Sequence, residues 1–133
     1  MDTTTPPTPP PIPTATATPP LASTAEDKTV AILSYLTLIG FIVAIVMHSS
    51  KKTQLGAFHL RQMLGILLTA MAVVVCEFVL FFIPILGWLC IVALWLSVFV
   101  IWVMGLLSAV QGQMKPVPIL GARYQKWFGN TFN

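Results

Sequence analysis

Residues 63–110 contain one charged side chain, Glu77. Near the middle of this stretch lie Pro84 and Gly87, in the segment Ile83-Pro84-Ile85-Leu86-Gly87-Trp88. On either side remains enough apolar sequence for a helix of roughly 20 residues, the length that crosses a hydrocarbon core of about 30 Å. The pattern predicts two transmembrane helices folded back on each other through a tight turn.

Composition agrees with a lipid-exposed chain. Of the 133 residues 56% are hydrophobic and 8% charged, against about 25% charged in ordinary soluble domains. The net charge of +3 is small, and no basic run interleaved with aromatics is present, which argues against nucleic-acid binding. Cys76 and Cys90 lack metal-ligand spacing. In a hairpin turning near Ile85 their depths differ by roughly 6 Å at 1.5 Å per residue. A bridge is then marginal, and two buried free thiols are expected.

Taken in order, residues 1–25 form a Pro/Thr-rich tail, expected to be disordered and extended because proline fixes φ and lacks an amide proton. Pro6, Pro9, Pro10 and Pro13 give PxxP spacings without flanking basic residues. No cationic segment precedes the first apolar run, so a cleaved signal peptide is not expected. Residues 26–128 read as an all-α, three-helix integral membrane domain, with spans at about 29–47, 60–83 and 88–110, and residues 129–133 close the chain. Glu26 and Asp27 suit the positive end of the first helix dipole. Gly40 and Ala44 make a small-xxx-small pair that admits a neighbouring helix.

Ahead of the second span, His59 and Gln62 share one helical face and should point into protein. Arg61 lies roughly opposite and should snorkel to headgroups. On the third span, Trp88, Trp95 and Trp102 recur every seventh residue and should face lipid or a second subunit. Ala93, Ser97, Gly105 and Ala109 fall on the other side, where small residues suit bundle packing. The tail at 121–128 carries Tyr124, Trp127 and Phe128 with two basic residues, as a short amphipathic helix at the membrane surface does. Lys51, Lys52, Arg61, Lys115, Arg123 and Lys126 fall on one side of a three-span chain and only Lys28 on the other. This bias predicts an inner-membrane protein with its N-terminus outside and its C-terminus cytosolic.

Glu77 is the candidate site residue, because an ionisable group inside a span is costly and needs a partner. By depth in an antiparallel first helix, that partner is Tyr35 or Ser34. A structural interhelical bond is the leading reading, with proton or cation handling and an incidental place at the lipid edge as the alternatives. His59 reads as a packing histidine rather than a metal ligand. The arrangement of Asp2, Asp27, the serines and the histidines offers no nucleophilic triad, P-loop or carboxylate pair. The chain is therefore expected to be neither an enzyme nor a cofactor or metal carrier.

Residues 31–40, the Phe58-His59-x-Arg61-Gln62 element and residues 115–121 resemble a family of small bacterial membrane proteins of unknown function. That family is grouped with the twenty-kilodalton Tic import subunit of the chloroplast inner envelope. The resemblance implies a helical membrane domain and, by name, a link to protein translocation. Two functions follow as expectations: a non-enzymatic component of a larger homo- or hetero-oligomeric membrane assembly, or a small self-assembling permeation unit using Glu77.

Overall fold

The computed structural model describes residues 24–133. The expected extended tail therefore lies outside the described residues, except for Thr24 and Ala25. Thr24 is the N-cap of α1, Ala25–Leu36. It closes a capping box, with Asp27 N donating to Thr24 Oγ1 at 3.3 Å and Thr24 N donating to Asp27 Oδ2 at 3.0 Å.

The first predicted span does not form. At Thr37 the backbone turns extended (φ −155, ψ 167), and the Thr37 side chain accepts from Gly40 N at 2.9 Å, opening a new helix, α2, Leu38–Ser50. A short hydroxyl side chain competes with the helical ladder in this way and favours caps over helix interiors. α2 then folds back on α1. A Cβ on Gly40 would lie 2.6 Å from Leu33 O, seven residues earlier, where a continuous helix would separate them by about 10 Å. At the other end Lys51 Nζ stands 2.5 Å from Glu26 Oε2. Residues 29–47 thus fall within an antiparallel pair of short helices, of 12 and 13 residues, that spans residues 25–50. Among the described residues two helices, not three, are long and apolar enough to cross a membrane.

Those two are α3, Gln54–Leu80, and α4, Leu86–Val110. Thr53 caps α3 as Thr37 caps α2, accepting from Gly56 N at 3.1 Å. The turn between α3 and α4 falls at the predicted place. There Leu86 N donates to Pro84 O at 2.7 Å across Ile85, which holds a positive φ of 63. This is the rarer, strained form of γ-turn. The same four residues, Pro-Ile-Leu-Gly, recur at 118–121 with the same bond, Leu120 N to Pro118 O at 2.7 Å across Ile119 (φ 67). They open α5, Gly121–Trp127.

α5 packs against α3 rather than resting free on a membrane surface. The buried Tyr124 ring lies over Gly65, where a Cβ would be 2.2 Å from ring Cγ. Its hydroxyl pairs with Thr69 Oγ1 at 2.6 Å, and Gln125 Nε2 donates to Phe58 O at 2.8 Å. Trp127 stays exposed.

One end of the molecule gathers the charges. Glu26 meets Lys51, Lys52 Nζ donates to Asn133 O at 2.5 Å, and His48 Nε2 donates to Phe132 O at 2.8 Å. Residue 24 and residue 133 therefore lie at the same end. The expectation of ends on opposite sides required a third crossing, and the fold at Thr37 removes it. This is the charged end; the α3–α4 turn marks the Pro84 end.

Candidate functional site

The polar residues of α1 and α3 converge near the charged end. Tyr35, His59, Gln62 and Ser34 are all buried, with at most 1% exposure. Gln62 Oε1 accepts from Val117 N at 3.1 Å, which fixes its amide orientation. Gln62 Nε2 donates to Tyr35 Oη at 2.9 Å, and Tyr35 Oη stands 3.3 Å from His59 Nδ1. His59 Nε2 faces Gln113 O at 2.9 Å. A carbonyl only accepts, so the proton sits on Nε2 and Nδ1 accepts from the tyrosine. The result is a one-way relay from Val117 through Gln62, Tyr35 and His59 to Gln113, each donor polarising the next.

Three surroundings hold the relay. Gly105 of α4 leaves room for the Tyr35 ring, where a Cβ would come within 2.7 Å of Cε1. Trp102 Nε1 donates to Tyr35 O at 3.0 Å, satisfying an end carbonyl of α1. Ser34 Oγ bonds back to Ala31 O at 2.7 Å and takes no part. Both His59 nitrogens are engaged, so the ring offers neither a free lone pair to a metal nor a base to a substrate. Among the described residues no group of three or more His, Cys, Asp and Glu side chains could hold a metal ion.

His59 and Gln62 face inward as their spacing predicts, but Arg61 does more than snorkel. Its Nε donates to Thr131 O at 2.8 Å and its Nη2 to the Asn133 side chain. The Phe-His-x-Arg-Gln element thus grips two downstream segments, 113–117 with one face and 131–133 with the other.

Glu77 is half-buried and accepts from Trp95 Nε1 on α4. The expected partners Tyr35 and Ser34 are out of reach. α1 is only about 18 Å long, whereas Glu77 lies about 35 Å along α3 from its start. Glu77 is also within one turn of the α3 end at Leu80, so it sits near the rim of the span.

The small-residue stripe divides. Gly40 and Ala44 are buried against α1, and Gly105 and Ala109 are buried in the bundle, but Ala93 and Ser97 are exposed. Trp88 and Trp95 are exposed as predicted, whereas Trp102 turns toward α1. Cys76 and Cys90 are free thiols, exposed and half-buried respectively. They line an apolar groove of about 570 Å³ with Val79, Leu80, Ala93 and Leu94.

Outside the spans, burial raises the Tyr124 hydroxyl above its usual pKa of 10.0, opposed by the bond to Thr69. Two features escaped the sequence reading: the Thr37 break and the repeated Pro-Ile-Leu-Gly turn. Both left a signal, because Thr-x-x-Gly occurs at 37–40 and 53–56, and Pro-Ile-Leu-Gly occurs at 84–87 and 118–121.

The sequence pattern of the magnetosome magnetite crystal formation protein family matches residues 26–122. The chain belongs to that family. The matched region runs from the first turn of α1 into the first turn of α5, so it contains the whole relay, the Glu77–Trp95 pair and both Pro-Ile-Leu-Gly turns. It leaves out Tyr124 and the 131–133 segment held by Arg61. No curated protein and no solved structure matches the chain. Membership in a small bacterial membrane-protein family stands, while nothing found supports the import-subunit grouping. The three segments that carried that resemblance contribute Tyr35, His59, Gln62 and Val117, the residues joined in the relay.

Proposed function

We propose that the chain is a non-enzymatic integral component of a magnetosome membrane, acting in magnetite crystal formation through the assembly it joins rather than through chemistry of its own. The observation that carries this reading is the closed relay. The buried polar side chains Tyr35, His59 and Gln62 at the α1–α3–α4 junction are spent on one another and on the backbone of residues 113 and 117, which suits a rigid scaffold and leaves no open base, nucleophile or ligand set within that junction. The face that remains for partners is at the Pro84 end, where Ala93 and Ser97 present small, exposed side chains on α4 among the described residues.

The alternative, a self-assembling permeation unit with Glu77 in its path, is weakened by the bond to Trp95 and by the position of Glu77 near the rim. The placement of cationic groups favours the charged end in the cytosol, with both flanks of the membrane domain on that side.

Crosslinking from Cys90, beside Ala93, in native membranes tests the assembly reading. Discrete crosslinked species that vanish in Ala93→Leu/Ser97→Leu support it. A chain that yields no crosslinked species and instead conducts ions when reconstituted alone overturns it.

A further inference from the structure

The short hairpin α1–α2 and the long hairpin α3–α4 fill the two halves of a bilayer unequally. α1 and α2 are about 18–20 Å long, and their apolar parts, residues 29–36 and 38–47, about 12–15 Å, close to half of a hydrocarbon core of about 30 Å. Their open end carries Glu26, Asp27, Lys28, Lys51 and Lys52, the side chains that belong in headgroups. Their closed end exposes Leu36, Leu38 and Ile39, at 57%, 61% and 75%. Such a tip belongs in hydrocarbon. α5 also packs at the charged half, on α3 up to Thr69.

Beyond that half the spans stand alone. The buried residues of α3 lie at Ile66 or before, apart from Val73. Those of α4 lie at Gly105 or after, apart from Gly87 and Val98. The contacts made by Tyr35 reach Trp102 on α4 and Gln62 on α3. At 10–12 Å per helix diameter, the charged leaflet must accommodate roughly 160–220 Å² more protein cross-section than the other.

We propose that the chain is a curvature-selective wedge, its α1–α2 hairpin inserted in one leaflet so that the protein favours membranes in which the charged end lies on the convex face. The partner is the lipid surface itself. The inference needs only membrane insertion, and it holds or fails independently of the assembly reading above.

The test is reconstitution of the purified full chain, fluorescently labelled, into liposomes of mixed size from about 30 to 200 nm, since wedge-type binding responds to curvature. The readouts are protein per unit lipid in single vesicles, and the protease accessibility of residues 24–28. The expected result is a severalfold higher density on the smallest vesicles, with residues 24–28 outward there. Equal density at all sizes, or residues 24–28 inward on small vesicles, overturns the proposal.

A second arm uses Thr37→Leu/Gly40→Leu, which removes the α2 cap and blocks the approach of Gly40 to Leu33. If residues 24–28 then move to the opposite side and the size preference disappears, the hairpin is the source. A straightened variant that keeps the preference overturns that assignment. Should the variant fail to insert, the size series on the unmodified chain decides alone.

Discussion

Two helical hairpins of similar apolarity are built in opposite ways. α1–α2 turns at a single polar residue, Thr37, with helices of 12 and 13 residues, and its inner face is covered by α3 and α4. α3–α4 turns through Pro84 and Ile85, with helices of 27 and 25 residues, and the residues at its turn, Phe81, Phe82 and Ile85, are 66–88% exposed. Hydropathy assigns both sequences to lipid and cannot separate them. The difference arises from one hydroxyl, which can accept from Gly40 N, and one glycine, whose missing Cβ lets the chain fold back. An uncharged run of sufficient length is therefore a permit to cross a bilayer, and helix continuity decides whether the permit is used.

The comparison breaks most sharply at Gly40. Gly40→Leu places side-chain atoms against the Leu33 carbonyl, so the hairpin should open or lose about 3 kcal/mol. Unfolding in mild detergent, read together with protease access to residues 24–28, checks this. A variant as stable and as accessible as the parent would mean that the close approach is not required.

Gln62→Leu removes two relay bonds and strands Tyr35 and Val117 N. Because hydrogen bonds inside membranes average well below their nominal worth, the expected loss is about 2 kcal/mol, with faster amide exchange at 113–117. Unchanged exchange there would detach the relay from the loop it is said to hold.

Trp95→Phe tests the long hairpin alone. It frees Glu77 and should cost about 1 kcal/mol without altering exchange at 113–117. Coupling between the two ends would contradict the independence of the two hairpins.

The smaller effects lie at the charged end. The folded pKa of Tyr124 is raised above its unfolded value, so its contribution is present below pH 10.0 and lost as pH rises beyond that value. Alkaline titration should release α5 before the spans unfold, and Tyr124→Phe should abolish that step, both readable by proteolysis at Arg123 and Lys126. Lys51→Ala should leave thermal stability unchanged within error, because its pair with Glu26 is exposed on both sides.

The fold was legible where periodicity and length suffice. α3, α4 and their turn follow from apolar runs flanking Pro84 and Gly87, and the inward faces of His59 and Gln62 follow from helical spacing. The first span was not legible by the same means, because Thr37 and Gly40 look like ordinary small residues in an apolar run until their backbone bonds are drawn. That single misreading propagated. A continuous first helix would have set Tyr35 at the depth of Glu77, and the two ends of the domain on opposite sides. With the break in place, Tyr35 belongs to His59 and Gln62, and Glu77 to Trp95. Half of the small-residue stripe is likewise left exposed, because the α1–α2 hairpin closes at Thr37, level with the Gly105 half of α4.

The clasp on α3 also sets a timetable for biogenesis. His59 and Gln62 are made early, yet the groups they grip, Gln113 O and Val117 N, come 54 and 55 residues later, after α4 has crossed and returned. Until then a nascent chain carries an open latch in lipid, with Tyr35 already alongside but His59 Nε2 and Gln62 Oε1 still without their counterparts. Stalled or truncated products that end before residue 113 should therefore be the forms that membrane quality control finds first.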